Sequence, residues 1–198
     1  MDNRKQQILN AARHLFNRQG YSKTSVDDIA QAIGMTKSSL YYYYKNKEQM
    51  FFHAFSSEWE ENLDRFQEIA QKKKDPYQRI LSYVKETLRY YQRVVLQHNI
   101  PVKVLIDNRN MFRDFINRLI EKRIEFISSN LDQGIKTGLF RSCDTKQIAK
   151  SILDVKYSMQ YDRLTQYIHE EPNENQFKVI ENDTLFAIEL MLQGILKK

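Results

Sequence analysis

Between Thr36 and Lys47 the chain sets three lysines, three aliphatic hydroxyls and four consecutive tyrosines. Cations suit phosphate oxygens, hydroxyls suit phosphates and base edges, and aromatic rings suit thymine methyl groups. At about 100° per residue, Leu40 and Tyr44 share one side of a helix, and Ser38 and Tyr42 point away from it. Lys37 and Tyr41 fall on one flank, Thr36 and Tyr43 on the other. Such a helix is seated by its single apolar edge and presents everything else. Thr36, Lys37, Ser38 and Tyr42 are expected to face bases, with Lys37 directed at guanine and Tyr42 at a thymine methyl. The plain alternative is a solvated surface helix. Four adjacent tyrosines argue against it, because exposed aromatic patches mark contacts.

Other chemistry finds little support. His14, His53, His98 and His169 stand in four separate segments, and none has the His-Glu-x-x-His spacing of a metal site. There is no glycine-rich phosphate loop and no Gly-x-Ser-x-Gly elbow. Cys143 has only Arg141 as a basic neighbour, and a lone cysteine forms no internal disulfide, which suits a reducing cytosol. No catalytic residue, metal ligand or cofactor is expected, and the chain is not expected to be an enzyme.

The tyrosine-bearing helix needs a mount. Ile29, Ala30 and Ile33 form an apolar face, and Gly34 directly after it tolerates the left-handed backbone that ends a helix. Met35 plugs the turn, and Thr36 is placed as an N-cap. Two short helices across a tight glycine turn make a helix-turn-helix unit, whose second helix enters the DNA major groove. A first helix over 3–19 repeats Ile8, Ala12 and Phe16 and stops at Gly20. Ser25 caps a second helix over 25–33, with Asp28 as a weaker capping-box acid. Ile8, Ala12, Phe16, Val26, Ile29, Ile33, Leu40 and Tyr44 are expected to form a self-contained core.

Residues 4–55 closely resemble the DNA-binding domain of the TetR family of bacterial one-component regulators. The resemblance rests on Ile8-Leu9-Asn10-Ala11-Ala12, Leu15-Phe16, Gly20-Tyr21, Thr24-Ser25-Val26, Ile29-Ala30, Gly34-Met35-Thr36, Leu40 to Tyr44 and Asn46 to Met50, in that order and spacing. It covers about a quarter of the chain. It implies a repressor that lets go of DNA when a small molecule binds the carboxy-terminal part; the homodimer, expected to read a palindromic operator by its two-fold symmetry, is read from the last two helices. It also implies backbone contacts from Thr24 and Ser25, and phosphate anchoring by Tyr41 and Lys47. Tyr43 completes the expected DNA-binding set.

The rest of the chain fits an all-α fold of about nine helices: a DNA-binding domain over 1–46 and a larger helical ligand-binding and dimerisation domain over 47–198. Only 5 Gly and 3 Pro in 198 residues favour long helices over strands and turns. Further helices are expected at 47–72, 77–97, 102–108, 109–133, 144–168 and 175–196, with helix 47–72 linking the domains. Asp144 or Thr145 is expected to cap the eighth. No run approaches a membrane span, and the start has no signal-peptide core, so a cytoplasmic protein is expected. Residues 1–55 carry eight basic against four acidic residues, a net +4, and the other 143 carry only +2. That asymmetry suits attraction to phosphate at the amino-terminal end.

The last two helices hold more apolar residues than one inward stripe needs, Phe186 and Leu190 among them, which predicts a four-helix dimer interface. Ile152, Val155, Met159, Leu185, Ile188, Leu192 and Ile195 are its expected members. Trp59, Phe66, Tyr83, Tyr90, Tyr91, Phe112, Phe115, Tyr157 and Tyr161 are expected to line a pocket for an unidentified effector. Asp154, Lys156, Asp162 and Arg163 interrupt an apolar helix and read first as dimer-rim charges, with one available to a ligand's charged end. The competing reading is a DNA-binding adaptor whose carboxy-terminal domain holds a protein partner. A formed internal cavity favours the sensor; a solid core with an exposed apolar patch favours the adaptor.

Overall fold

The computed structural model describes residues 3–108, 110, 111, 113, 117 and 119–197. Among these the chain is all-α, with nine helices: α1 (Asn3–Lys23), α2 (Val26–Ala32), α3 (Lys37–Tyr43), α4 (Lys47–Gln71), α5 (Pro76–Gln97), α6 (Val102–Asp107), α7 (Ile120–Lys136), α8 (Thr145–Thr165) and α9 (Glu174–Gln193). Of the helix expected over 109–133, positions 109, 112, 114–116 and 118 lie outside the described residues.

Side-chain caps decide where most helices start. Asn46, Asp75, Asp144 and Asn173 each accept a hydrogen bond from the backbone N–H three residues on. Each satisfies one of the four amides that a helix start leaves without a partner. Asp144, rather than Thr145, therefore opens α8. Pro76 occupies the first turn of α5, where a missing N–H costs nothing.

α1 packs on α4, α4 on α5, and α5 on both α7 and α9, while α8 lies between α7 and α9. The turn after α7 is tied to the carboxy terminus by one antiparallel bridge, Phe140 to Leu196. Arg141 N–H donates to the Ile195 carbonyl at 2.9 Å, and Lys197 N–H to the Leu139 carbonyl at 3.0 Å.

Two apolar clusters hold the molecule together. One joins Ile8, Ala12, Phe16, Val26, Ile29, Leu40 and Tyr44 to Met50, Phe51, Ala54 and Phe55 of α4, and onward to Val94, Val95 and Ile100. The expected self-contained amino-terminal core is therefore corrected: α1, α2 and α3 bury too little apolar surface alone, and the first half of α4 completes it. Ile33 is only half-buried at its edge. The other cluster runs through Phe66, Ile80, Tyr83, Phe126, Ile152 and Ile188. Trp59 and Tyr90 touch both clusters.

α1 continues past the expected stop. Gly20 has φ 82° and ψ 168°, a conformation close to glycine-only, and one further turn runs to Lys23. The reason is tertiary. Tyr21 N–H donates to the His98 carbonyl at 2.6 Å, and a Cβ on Gly20 would stand 3.1 Å from that same oxygen.

Candidate nucleic-acid interface and effector cavity

The α2–α3 unit is assembled from local hydrogen bonds. Ser25 Oγ accepts from Asp28 N–H at 3.1 Å, and Asp28 Oδ2 accepts from Ser25 N–H at 2.8 Å. The capping box is complete, and the Ser25 hydrogen bonds hold the Asp28 carboxyl below its ordinary pKa. Gly34, at φ 63°, reverses the chain. Met35 N–H reaches back to the Ala30 carbonyl at 2.9 Å. Thr36 Oγ1 then caps α3 by accepting from Ser39 N–H at 3.2 Å.

Leu40 and Tyr44 are buried and seat α3 on the core. Thr36, Lys37, Ser38, Tyr41 and Tyr42 are exposed, Tyr42 to 86%, and Tyr43 is half-buried with its ring edge-on to Tyr42 at 5.2 Å. Lys37 Nζ lies 2.7 Å from Asp27 Oδ2 on α2, and that hydrogen bond raises the lysine's pKa. Both side chains are well exposed, so the pair is weakly held and exchangeable for another acceptor.

Two residues expected at the phosphate backbone do something else. Thr24 is 1% exposed, and its hydroxyl donates to the Gly20 carbonyl at 2.8 Å. Its side chain fastens the end of α1 rather than facing outward. Lys47 Nζ donates to the Tyr21 and Thr24 carbonyls, both at 3.0 Å, and sits 4.1 Å from the centre of the Tyr21 ring. Burial lowers its pKa. The ammonium closes the corner between α1 and α4, because the continuation of α1 past Gly20 brings the Tyr21 and Thr24 carbonyls within its reach. Arg13 is similarly pinned, donating to the Ala54 carbonyl on α4. The cationic excess of the amino-terminal end is thus partly spent on internal bonds.

A cavity of about 770 Å³ opens between α4, α5, α6, α7 and α8. Trp59, Phe66, Tyr90, Tyr91, Tyr157 and Tyr161 line it, with Leu63, Leu105, Ile120, Ile124 and Leu164. Burial, foremost, raises the pKa values of Tyr90 and Tyr91. Tyr83 is a correction. It is 1% exposed inside the second cluster, its ring 4.6 Å from Phe126, and burial pushes its hydroxyl up to about 12. Phe112 and Phe115 lie outside the described residues.

Lys156 is also corrected, since it is not at a rim. It is 4% exposed and lines the cavity, together with Arg123 at 8% exposed. Asp154 is exposed and lines the cavity mouth, Asp162 is exposed, and Arg163 pairs with Asp183 at 2.9 Å. Arg123 was missed from sequence. Its signal was present: it falls three residues after Ile120 and four before Ile127, on the inward stripe of α7.

The expected dimer residues divide. Ile152, Ile188, Leu192 and Ile195 are buried in this chain's own core and are unavailable to a second copy, because the inward stripe of each helix is taken by its neighbours. Val155, Met159 and Leu185 are half-buried. The free apolar surface lies on the opposite side of α9, where Phe186 is 63% exposed, Leu190 52%, and Val179 44%.

This architecture, a capped helix-turn-helix below a helical body, defines a class of DNA-binding transcriptional regulators. Residues 8–54 match the family described as bacterial regulatory proteins, tetR family. A Bacillus subtilis helix-turn-helix transcriptional regulator of uncharacterised role, YhgD, is 24% identical over 163 residues, covering 80% of this chain and 83% of the relative. The crystal structure of a transcriptional regulator from Cytophaga hutchinsonii superposes with a TM-score of 0.71 at 23% identity, covering 98% of this chain and 99% of that one. FadR from Bacillus subtilis, solved in complex with stearoyl-CoA, superposes with a TM-score of 0.58 at 20% identity, covering 96% of this chain and 98% of that one. These likenesses to solved structures concern the fold. The family match is confined to the amino-terminal helix-turn-helix segment, and the curated relatives that extend beyond it are regulators of transcription or metabolism. Among the described residues no helix is long and apolar enough to cross a membrane.

Proposed function

We propose that the chain is a ligand-responsive repressor that binds a palindromic operator as a homodimer in the cytoplasm. Residues 1–46 form the DNA-binding domain, and residues 47–198 bind the effector and the second copy. The observation that carries the reading is the exposed face of α3, where Lys37, Ser38, Tyr41 and Tyr42 stand clear of a helix seated by Leu40 and Tyr44. Thr36, Lys37, Ser38 and Tyr42 read bases, while Tyr41, Tyr43 and the Ser25 end of α2 meet the backbone. Lys47 serves them indirectly, by fixing the corner from which α2 starts.

The exposed Phe186, Leu190 and Val179 stripe supports a dimer through α9, flanked by Val155, Met159 and Leu185. Two-fold symmetry then presents two α3 helices to successive major grooves. The effector half of the proposal rests on the cavity and on two helices that reach it from the DNA-binding end. α4 starts at Lys47, bonded to α1, and passes Trp59, Leu63 and Phe66 at the cavity wall. α5 contributes Thr87, Tyr90 and Tyr91 and ends at His98, whose carbonyl holds Tyr21. A ligand that prefers one position of these helices changes the spacing of the two α3 helices, and DNA affinity falls by that preference. FadR from Bacillus subtilis, which shares this fold, was solved with stearoyl-CoA bound. A cavity of this size favours the sensor over the protein-binding adaptor.

The test is selection of genomic DNA fragments by the purified protein, with the mass of the complex measured on the enriched site. An enriched palindrome holding two chains is expected. No enrichment at low salt by folded protein overturns the reading.

A further inference from the structure

We propose that the effector cavity takes an organic anion, with a carboxylate or phosphate head seated between Arg123 and Lys156 and an apolar body along the aromatic wall. The proposal rests on the reading of this cavity as an effector site.

Two cations face one cavity from two helices, Arg123 from α7 and Lys156 from α8, each more than nine-tenths buried. Among the described residues neither has a carboxylate within ion-pair distance, although five ion pairs form elsewhere on more exposed side chains. Arg123 donates to the Tyr157 hydroxyl, and its Nε–H finds no acceptor. Lys156 Nζ lies 4.2 Å from the centre of the same tyrosine's ring, and among the described residues it donates no hydrogen bond. Gln160, one turn after Lys156 on α8, has a buried Oε1 with no donor.

Burying one unpaired charge is costly, and burying two of like sign together costs more. Desolvation depresses the pKa of both groups, and the Arg123 charge depresses Lys156 further. Structural needs do not account for the arrangement, since an apolar residue at either position fills space without that cost. An anion accounts for it. A guanidinium offers paired donors to two oxygens, and an ammonium beside it supplies the second charge. The cavity mouth is mixed in sign, with Arg113, Glu121, Lys150 and Asp154 exposed there, so the positive selectivity belongs to the interior. Trp59, Leu63, Phe66 and Leu105 supply the apolar wall for the body. About 770 Å³ is room for one ligand of lipid or drug size.

The test compares four probes that share one tail, each below its micellar concentration: dodecanoate, dodecyl phosphate, 1-dodecanol and dodecyltrimethylammonium. Binding to the full chain is read by calorimetry, and release of the selected operator by fluorescence anisotropy. At least one anion is expected to bind about tenfold to a hundredfold tighter than the alcohol. Lys156→Met and Arg123→Met are expected to erase that preference while leaving alcohol binding in place. The ranking of carboxylate against phosphate identifies the source of the head group. Equal or tighter binding of the alcohol or the ammonium, or no binding of any probe to folded protein, overturns the proposal and leaves the effector reading standing. Tight anion binding with operator affinity unchanged upholds the anion site and overturns the effector reading. The wild-type ranking decides the matter even if a variant fails to fold.

Discussion

Lys47 and Lys156 are both taken out of water, yet the regions around them treat a buried ammonium in opposite ways. At the amino-terminal end, Lys47 meets two carbonyls and a tyrosine ring, and each helix start nearby is capped by a side chain. In the cavity, Lys156 meets a ring and another cation, and Arg123 Nε and Gln160 Oε1 lack partners. The first region is complete without a partner inside it and presents its chemistry outward on α3. The second is incomplete and holds its chemistry inward. A surface that must keep its shape while meeting a large rigid polymer gains from internal satisfaction. A pocket that must discriminate a small molecule gains from groups left for the ligand to satisfy.

The sharpest break of this contrast is within α3 itself. Leu40→Ala should lower stability by about 2–5 kcal/mol, the range for emptying a full leucine site in a core. Tyr42→Ala, on the opposite side of the same helix, should leave urea unfolding within about 0.5 kcal/mol of wild type and weaken operator binding. A loss of stability from Tyr42→Ala would mean that the outward face is not free.

Next in size is Gly20→Ala, expected to cost about 1–3 kcal/mol because only glycine sits easily at that backbone conformation and the His98 carbonyl stands against the added methyl group. Unfolding by urea with wild-type slope, at a lower midpoint, would show it. The paired lysine variants follow. Lys47→Met should destabilise by about 1–3 kcal/mol, as two carbonyls lose their donor. Lys156→Met should stabilise the ligand-free protein by about 1–3 kcal/mol, as an unpaired charge is removed. Equal signs in thermal unfolding would erase the distinction between the two regions.

The smallest effect concerns acid. His98 is buried against Phe51 and Phe55, with Nδ1 3.4 Å from the Phe16 carbonyl and Glu58 the charge that acts on it, and burial lowers its pKa. The unfolded chain then binds a proton more readily than the folded one. The stability present above the unfolded value near about 6.5 is lost as pH falls below it toward the folded pKa. His98→Phe should flatten the fall in urea midpoint between neutral and mildly acidic pH relative to wild type, and an unchanged slope would remove His98 from the account.

Much of the fold is legible in the chain because its signals are local. Apolar periodicity places the helices. Ser25, Thr36, Asn46, Asp75, Asp144 and Asn173 stand where their side chains reach an amide three residues on, and Gly34 marks the turn. The outward set on α3 follows from angles around one helix, with Leu40 as the reference. Assignments failed where the answer lay between elements. Thr24 and Lys47 read as outward polar residues until the end of α1 is placed beside them. Ile152, Ile188 and Leu192 read equally well as core or as interface, because periodicity gives the apolar face of a helix and not its neighbour. Tyr83 carries the same pattern as Tyr90 but points at Phe126 rather than into the cavity.

The sequence by itself determined the helix class, the helix-turn-helix unit, its caps and its exposed face, since those depend on residues within a few positions of one another. Only the tertiary structure decided that the amino-terminal core extends into α4, that α9 rather than the buried stripes offers the free apolar surface, and that Arg123 and Lys156 meet in one cavity. Burial and pairing are properties of distances between helices, and the 33 positions from one of those cations to the other along the chain say nothing of their separation in space.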